Sequence, residues 1–573
     1  MTAAPVTRYT AGPGTGKTHT LLELVRREAG DGTRIGDLCF STFARSQAAD
    51  VRIRIGDVYP GASGKEIAAS VVTVHAAALR ACRSAGILDM EDRVIQEGSR
   101  RDSPVFQEFA RAHDLPYDPA LARARSDDDT TAGKKEPIGN TLFRMARFIR
   151  AQYSWQWTDA PHVTAVAGLY IPPGFGDAAE LLQAWADYKA DRRLFEHDDY
   201  VYAAIDADAP PPAPVLVADE FQDLAPLQFM LISIWRASGD VDRIYVAGDP
   251  NQAIYGFRGA DPALLEVLPG PIEDIGATAD GSAPVSRRCP AEIMGAADAV
   301  LGGRSNMAPR PGAGSVEVRH PYDGLEFAAL VEGTHRRYGS VLVLSRYRRH
   351  ARNLSKVLTA AGIPHSSLLS DWSPPWGTVR TAAEEPVSIP RLLDALDALT
   401  AYERGEHPGV ITPDQARALI AAAPALCDPP ANIRSVLNRP ESVFIPEVLG
   451  WFSGTPPGPG AARTIAAGLH FREDLAAGFA AALARGPSRP DPSAITLGTI
   501  HSAKGLEASA VILHTAYNRG RAAEYWQRPD MAAEERRVYY VGCTRAREAL
   551  ILLDGLRAGP SAPPLHAIAG VRG

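Results

Sequence analysis

The stretch "TAGPGTGKTHT" (residues 10–20) decides the fold of the N-terminal part of the chain. It follows the short apolar segment "VTRYT" and precedes the helical pattern "HTLLELVRREA", which together predict a strand, a glycine-rich loop and a helix. Glycines in such a loop let backbone N–H groups approach phosphate oxygens, and the start of the helix adds its dipole. The spacing is that of a nucleotide-binding loop, with a chance glycine-rich turn as the alternative.

Two side chains in this loop have chemistry that suits a nucleoside triphosphate. Lys17 is placed to reach the β- and γ-phosphates, and the hydroxyl of Thr18 is placed to bind Mg²⁺. We therefore expect a nucleoside triphosphate and Mg²⁺ as ligands. The expected nucleotide-binding residues of the loop are Ala11, Gly12, Pro13, Gly14, Thr15, Gly16, Lys17 and Thr18.

A second magnesium ligand is expected at the end of another buried strand. The segment "VLVADEFQD" runs from apolar residues into Asp219 and Glu220. Adjacent carboxylates can divide the work, with Asp219 holding the metal and Glu220 orienting or deprotonating the attacking water. A capped, solvated turn is the alternative for this pair taken alone.

Length and composition limit the classes of protein to which the chain can belong. The 573 residues exceed what one core accommodates and suggest roughly three or four domains, at about 150 residues each. A net charge of −7 gives no global basic signature, although a local groove can still be basic. The five cysteines form no disulfide framework and no metal-ligand spacing, which favours a reducing, cytoplasmic setting. No run of 18 apolar residues is present, so no membrane span is expected.

Short apolar runs alternate with helical patterns along much of the chain. The runs "VLVAD", "RIYVAGD", "SVLVLS" and "ASAVILH" predict buried parallel strands, because each is apolar without alternation. The simplest layout is an α/β fold with two cores, each interrupted by a mostly helical insertion. The predicted limits are residues 1–79 and 201–275 for the first core, 80–200 for its insertion, 276–369 and 491–573 for the second core, and 370–490 for its insertion.

Eight segments carry a resemblance to a known family. They are "STFARSQAADVRIRI", "TVHAAALR", "FEHDDYVY", "ADEFQDLAPLQ", "VAGDPNQAIYGFRGAD", "VSRRCPAEIMGAADAVL", "LGTIHSAKGLEASAVIL" and "EERRVYYVGCTRAREALIL". In content and order they resemble the UvrD/Rep-type superfamily 1 DNA helicases. The resemblance covers both predicted cores, whereas the insertions are similar only in position and helical character. It implies two RecA-like P-loop domains that bind ATP between them.

The resemblance also implies roles for residues of both cores. Gln252 would sense the γ-phosphate and couple it to DNA, and Arg288 and Arg545 would reach across the cleft to stabilise charge on the transferring phosphoryl group. Glu507 would contact the ribose of the nucleotide. A surface salt bridge is the alternative for each arginine, and the residues before Arg288 depart from the usual Asn-Tyr.

The DNA path is expected over both cores. Aromatic faces stack on bases without demanding a sequence, and an arginine can meet phosphate. The candidates from the matched motifs are Phe43, His75, Tyr255, Phe257, Arg258 and His501. For the two histidines and Phe43, packing or a strand-end hydrogen bond is the alternative.

The helix "TLFRMARFIRAQYSWQW" adds a second candidate DNA surface. Its arginines Arg144, Arg147 and Arg150 recur every three residues and so lie near one face. Two interpretations remain open for that face, a DNA contact or a solvated amphipathic helix.

The resemblance implies an ATP-dependent DNA helicase and single-stranded DNA translocase with 3′–5′ polarity. Its expected partners are single-stranded DNA, single-strand/duplex junctions and a repair or replication protein, and its expected state is a monomer or a DNA-induced dimer. The alternative is a DNA-stimulated ATPase subunit of a repair or defence complex that unwinds little alone. A kinase or signalling GTPase would need neither the arginine motifs nor "GDPNQAIYGFRGA".

Two departures from the family pattern refine these expectations. The ten residues before Ala11 contain no glutamine of the kind that reads adenine, so strict selectivity for ATP is not expected. The second insertion is shorter than is typical, so unwinding without a partner is expected to be weak.

Overall fold

The computed structural model describes most of the chain. The described residues are 3–43, 45–124, 136–167, 169–270, 272–274, 284–303, 305, 307–369, 372–380, 386–438, 442–454, 460–467, 469, 473–516, 526 and 528–553. The first residues predicted for the second core, 276–283, and its last residues, 554–573, lie outside them.

The first core contains a six-stranded parallel sheet. In spatial order its strands are Val71–Thr73, Leu38–Thr42, Val215–Ala218, Arg243–Gly248, Val6–Thr10 and Ile272–Asp274. Its helices are Lys17–Gly30, Arg45–Val58, Gly64–Ser70, Val74–Ser84, His197–Asp206, Pro226–Ser238 and Leu264–Val267.

Both faces of this sheet are covered by helices. Along one central strand, Val215 and Val217 pack against one hydrophobic cluster, and Leu216 and Ala218 pack against another. Successive side chains of a strand point to opposite faces, so a strand that is apolar throughout is buried on both sides. This alternation is the physical reason that the strands could be predicted as uninterrupted apolar runs.

The second core repeats the plan with another six-stranded parallel sheet. In spatial order its strands are Ser315–Arg319, Ala546–Leu553, Ala508–His514, Val341–Ser345, Ile495–Thr499 and Ser366–Ser367. Its helices are Ala291–Leu301, Gly324–Tyr338, Arg348–Ala360 and Pro529–Cys543, and a short parallel pair of strands is formed by Val285–Pro290 and Ala308–Arg310. The predicted class, α/β with parallel sheets flanked by helices, is confirmed.

The first insertion is mostly helical and has its own aromatic core around Trp185 and Phe143. Its helices are Ser103–Ala112, Pro119–Ala124, Ile138–Ala151, Ala160–Ala167 and Ala178–Asp191, and its two short strands are Arg93–Val94 and Leu194–Phe195. The predicted limits of this insertion fall inside two helices, Val74–Ser84 and His197–Asp206, which pack on the first sheet.

The second insertion has a separate hydrophobic core. Its helices are Ile389–Glu403, Pro413–Ala422, Ile433–Leu437, Ile445–Leu449, Ala461–Ala467 and Glu473–Arg485. Two antiparallel pairs of short strands join them, Thr378–Arg380 with Pro386–Ser388 and Val410–Ile411 with Val443–Phe444. Among the described residues, no helix has the length and apolar character needed to cross a membrane.

Candidate nucleotide and DNA site between the two cores

The glycine-rich loop connects a central strand of the first sheet to the helix Lys17–Gly30. Gly14 and Gly16 have φ angles of 74° and 96°, in the left-handed region that a glycine adopts without strain. Gly16 caps the helix, so the loop ends at the helix N-terminus, where anions are stabilised. The loop therefore has the backbone form of a phosphate-binding site.

Lys17 is buried and its ammonium group faces the loop. The Nζ atom donates to the carbonyl oxygens of Ala11 and Gly12 over 3.0 and 3.2 Å. The hydroxyl of Thr15 donates to the same Gly12 oxygen over 2.9 Å. The cation is thus held inside the curve of the loop, where phosphate oxygens would be bound.

The second core lies directly on the loop. Ser286 Oγ donates to the Pro13 carbonyl over 2.8 Å, and the backbone N–H of Arg287 donates to the Gly14 carbonyl over 2.9 Å. A Cβ atom on Gly14 would lie 2.6 Å from Cβ of Arg288, so only glycine fits at this contact. These contacts bring Arg288, from the other core, to the edge of the phosphate loop.

The two expected metal ligands are neighbours. Thr18 Oγ1 donates to Asp219 Oδ2 over 2.5 Å, although the two residues are 201 positions apart. Burial and the neighbouring charge of Glu220 raise the pKa of Asp219, against the opposing effects of Thr18 and Lys17. A hydroxyl and a carboxylate in contact at a strand end are the kind of oxygen ligands that Mg²⁺ accepts, so the residues present fit the ion.

Glu220 is held in an uncommon conformation. Its φ angle of 55° lies in the left-handed region, which costs energy for a residue with a side chain. Burial alone would raise the pKa of its carboxyl, but Lys504 and Lys17 outweigh that effect and lower the pKa, so the side chain is an anion. A fixed, ionised carboxylate beside the metal ligands suits a group that orients water.

A continuous chain of hydrogen bonds joins Glu220 to the second core. Gln222 Nε2 donates to Glu220 Oε2 over 2.5 Å, and Gln222 Oε1 accepts from the backbone N–H of Asp249 over 2.9 Å. Gln252 Nε2 then donates to Asp249 Oδ2 over 2.5 Å. Arg545 Nη2 finally donates to Gln252 Oε1 over 2.9 Å.

Arg545 is only 1% exposed. Besides Gln252, its guanidinium donates to the carbonyl oxygens of Val541 and Leu506, so its planar head is fixed in position. Burial and the nearby charge of Arg288 lower the pKa of Arg545 to about 9, which leaves it a cation at neutral pH.

Arg288 and Glu507 form an ion pair. Arg288 Nε donates to Glu507 Oε2 over 2.7 Å, and its Nη1 donates to the Thr544 carbonyl over 3.2 Å. Arg547 lies 3.5 Å from the same carboxylate, whose side chain is 41% exposed. The structure therefore brings Arg288, Arg545 and Glu507 to one side of the cleft, opposite the phosphate loop.

The candidate DNA residues fall into two groups by exposure. Tyr255 and His501 are buried, and Tyr255 stacks on Phe43 with ring centroids 4.5 Å apart. Phe43 and Phe257 are half-buried and Arg258 is exposed. These five side chains form one cluster, in which Phe257 lies 5.7 Å from His501 and Arg258 lies 5.3 Å from the Tyr255 ring. Only the Phe43, Phe257 and Arg258 part of the cluster faces outward.

His75 belongs to a different cluster. Its Nε2 lies 3.0 Å from Asp198 Oδ1, and its Nδ1 lies 3.3 Å from the side-chain amide of Gln228. Both partners are in helices that pack on the first sheet, so His75 connects these helices at the edge of the first insertion.

The arginines of the helix Ile138–Ala151 have acidic partners within the insertion. Arg144 lies 2.9 Å from Glu136 and Arg147 lies 2.6 Å from Glu97. Arg150 lies over the Trp157 ring, 4.7 Å from its centroid. Most residues of the helix are buried. Between 21% and 34% of each arginine side chain stays exposed, so this face is both ion-paired and partly solvated, and the two interpretations stay predictions.

Comparison with known proteins agrees with this geometry. The model of the UvrD/REP helicase N-terminal domain matches residues 7–118 and 178–269, and that of the UvrD-like helicase C-terminal domain matches residues 481–554. The chain belongs to the UvrD/Rep-type superfamily 1 DNA helicases. Its two sheets are accordingly the RecA-like domains of such a helicase, as predicted.

Several mycobacterial helicases are similar to this UvrD/Rep-type chain. The ATP-dependent DNA helicase UvrD2 of Mycobacterium tuberculosis is 27% identical, over 96% of this chain and 76% of its own length. The protein of the same name from Mycobacterium bovis has the same identity and coverage. The ATP-dependent DNA helicase UvrD1 of Mycobacterium tuberculosis is 26% identical over 62% of this chain and 47% of its own length. UvrD-like helicases use ATP, typically with Mg²⁺.

Four residues of the site were not singled out from the sequence of this UvrD/Rep-type helicase. Gln222 and Asp223 lie within the same segment as Asp219, and Ser286 and Lys504 lie within the segments that contain Arg288 and Glu507. All four residues lie within the segments that carry the family resemblance. That location is the sequence signal that could have identified them. Asp223, Ser286 and Lys504 have partners on the opposite core, and no local spacing indicates that.

Proposed function

We propose that this protein is an ATP-driven motor that moves along single-stranded DNA in the 3′–5′ direction and unwinds duplex at single-strand/duplex junctions. The observation that carries the proposal is the hydrogen-bond chain from Glu220 through Gln252 to Arg545. It connects the carboxylate beside the expected metal ligands to a buried arginine of the other core. The direction of movement rests on the family relationship.

The nucleotide would be held between the phosphate loop and the second core. Lys17 and the loop N–H groups would bind the phosphates, with Thr18 and Asp219 as ligands of Mg²⁺. When bound, the metal neutralises phosphate charge and polarises the phosphoryl group that is transferred. Glu220 orients the attacking water and accepts its proton, because it is an anion held in a fixed conformation.

The second core would supply positive charge. Arg288 and Arg545 are placed to stabilise the charge that develops on the phosphoryl oxygens, an effect worth about 10³–10⁵ in rate for an arginine finger. Glu507, beside Arg288, is the expected contact of the ribose. Because both arginines come from the second core, hydrolysis requires the two cores to be together.

The strand of DNA would lie over the exposed part of the aromatic cluster. Phe43 and Phe257 offer faces on which bases stack, and Arg258 offers a cation for the backbone. Such contacts do not read a base sequence. They also tolerate RNA, and for this reason RNA is one of the polymers in the ATPase assay below.

Movement follows if the cleft opens and closes in each cycle. Separation of the cores breaks the bonds from Arg545 to Gln252, from Ser286 to Pro13 and from Arg287 to Gly14. If each core binds the strand differently in the two states, each cycle of hydrolysis advances the protein along the strand.

Two assays on the purified full chain test the proposal. The ATPase rate is measured with single-stranded DNA, duplex DNA and RNA, and strand separation is measured with duplexes that carry a 3′ or a 5′ single-stranded tail. We expect stimulation by single-stranded DNA and unwinding of the 3′-tailed duplex. Unwinding of the 5′-tailed duplex alone contradicts the direction, and stimulation without any unwinding favours the ATPase-subunit alternative. An ATPase indifferent to DNA contradicts the proposed function.

A further inference from the structure

Lys504 is a residue of the second core whose side chain enters the first core. It follows the strand Ile495–Thr499, and its side chain is only 4% exposed. Its ammonium group donates to Asp223 Oδ2 and, over 2.8 Å, to the backbone carbonyl of Gln252. The same Nζ lies 3.8 Å from Glu220 Oε2. One cation thus contacts both the carboxylate group at the hydrolysis site and the segment that leads to the DNA residues.

That segment, residues 252–257, is here called the strap. Three successive carbonyl oxygens of the strap accept hydrogen bonds from the second core: that of Gln252 from Lys504, that of Ala253 from Arg537 over 2.8 Å, and that of Ile254 from His501 over 3.1 Å. Ile254 and Tyr255 pack within the hydrophobic cluster of the second core. The strap belongs to the first core by sequence and is anchored in the second core by its contacts.

The strap ends at the half-buried aromatic residue Phe257, which is part of the expected stacking surface for DNA. Tyr255 within the strap is stacked on Phe43 and lies 5.4 Å from the Lys504 ammonium group. A base stacked on this surface would contact a segment whose first carbonyl is bonded to Lys504. A shift of the strap would then move that ammonium group relative to Glu220.

The carboxylates that Lys504 meets are close together and enclosed. Asp223 has no exposed side-chain surface and Glu220 has 13%. The other cations near Glu220 are Lys17 and Arg545. Lys17 is part of the phosphate loop and Arg545 is bonded to the Gln252 side chain, so Lys504 is the one of these three cations that is bonded to the strap backbone. Buried carboxylates without a nearby cation are costly, which gives Lys504 a strong influence on how Glu220 is held.

We propose that Lys504 is a positioning residue through which single-stranded DNA on the strap controls the water-orienting carboxylate Glu220. The inference rests on the proposed function, since it concerns stimulation of hydrolysis by DNA. Binding of DNA fixes the position of the strap, and the strap fixes the position of the Lys504 ammonium group. Lys504, together with Asp223, then fixes the orientation of the Glu220 carboxylate. No bond is made or broken by Lys504 itself.

A set of four variants tests the role of this contact. Lys504→Met removes the cation and keeps most of the side-chain volume, and Lys504→Arg keeps the cation. The double variant Lys504→Met with Asp223→Asn removes the pair without leaving a buried charge. Arg537→Met is the matched control, because it removes another hydrogen bond to the strap from a residue that has no contact with Glu220 or Asp223 among the described ones.

The readout is the ratio of the ATPase kcat at saturating oligo-dT to the kcat without DNA, together with the KM for ATP. For Lys504→Met and for the double variant, we expect this ratio to fall at least about tenfold, since a small displacement of a catalytic group can cost about 10²-fold in rate. The KM for ATP should change less than about threefold, because phosphate binding is not altered. Lys504→Arg should recover part of the ratio, and Arg537→Met should keep most of it while requiring more oligo-dT for half-maximal stimulation.

Several outcomes would overturn the inference. One is a double variant that folds, as judged by its thermal midpoint, and keeps the wild-type ratio within about twofold. Another is an equal fall of the stimulated and the unstimulated kcat in both variants that carry Lys504→Met. If Lys504→Met fails to fold, the charge-balanced double variant decides the matter. Failure of the proposed function is distinguishable, because the wild-type ATPase would then show no stimulation by oligo-dT.

Discussion

Arg545 and Gln252 lie on different cores, 293 positions apart, and share a hydrogen bond of 2.9 Å between a guanidinium and a side-chain carbonyl. Both residues are buried, and Gln252 is linked through Asp249 and Gln222 to Glu220. The bond is therefore one end of a path that begins at Glu220, beside the expected metal ligands, and ends in the opposite core. A path of this kind explains how hydrolysis and separation of the cores can be coupled.

The position of Arg545 requires a planar guanidinium group. In Arg545→Lys, a single ammonium group replaces a fork that bonds Gln252, Val541 and Leu506 at once, so we expect the DNA-stimulated kcat to fall about 10³-fold. Steady-state ATPase assays with saturating oligo-dT measure the effect. Arg336→Lys, at an exposed position of the helix Gly324–Tyr338, is the control and should behave as wild type. A rate for Arg545→Lys close to that of this control would refute the role.

Lys17 is the second side chain whose loss should stop hydrolysis. In Lys17→Ala, the cation that faces the curve of the phosphate loop is absent, so we expect an ATPase rate no higher than the assay background. Binding of a fluorescent single-stranded oligonucleotide should persist, because the aromatic cluster is built from other residues. Retained turnover would contradict the assignment of the nucleotide site, and a loss of DNA binding would point to a folding defect.

The fold and the local parts of the site could be predicted because their signals are short-range. The strand Val341–Ser345 is an uninterrupted apolar run, and Lys17 and Thr18 belong to one loop whose spacing has a direct chemical reason. Contacts between the cores leave no such pattern. Lys504 is 281 positions from Asp223, and nothing near either residue indicates that the two meet.

The same limit applies to the first insertion. Arg147 belongs to a regular arginine spacing, but its partners Glu97 and Glu196 come from distant segments. Periodicity shows that residues share a face of a helix and does not show what covers that face. The identity of the partner is decided by packing of the whole insertion.

Phe257 and Tyr255 should respond differently to removal of the ring. Phe257→Ala takes away a half-exposed stacking face, so we expect DNA binding to weaken by about 1–3 kcal/mol, with little change in stability. Tyr255→Ala opens a hole in the core of the second domain and should destabilise the fold by about 3–5 kcal/mol. Fluorescence anisotropy with oligo-dT and thermal unfolding measure the two effects. Equal losses of affinity and stability in both variants would contradict this division.

Lys189 should be important for the stability of the first insertion. Its ammonium group is almost fully buried between Glu196, at 3.0 Å, and Asp199. Lys189→Met leaves the two buried carboxylates with only the more distant Arg147, 3.6 Å from Glu196, and Arg150, 3.5 Å from Asp199. We expect the free energy of unfolding of the insertion to fall by about 3–5 kcal/mol. Chemical denaturation followed by tryptophan fluorescence is a suitable measurement, because Trp185 donates to the same Glu196. Lys65→Met, at an exposed site of the first core, is the control and should unfold as wild type does.

His365 should make the second core sensitive to acid. Burial lowers the pKa of this histidine from 6.5 to about 4, although its Nδ1–H donates to the Ile363 carbonyl, and Ser355 Oγ lies 2.8 Å from Nε2. In the unfolded chain the imidazole takes up a proton below pH 6.5, whereas in the folded chain it stays neutral until about pH 4. The stabilisation that this neutral ring provides is therefore complete above pH 6.5 and is lost as the pH falls towards 4.

Replacement of the ring should remove that part of the pH dependence. At pH 5 the linkage amounts to about 2 kcal/mol, so the loss of unfolding free energy between pH 7.5 and pH 5 should be smaller by about that amount in His365→Asn than in wild type. Urea denaturation at the two pH values measures it. His113→Asn, which changes an exposed histidine of the first insertion, should keep the wild-type difference. An unchanged difference in His365→Asn would mean that His365 is protonated in the folded chain as readily as in the unfolded chain.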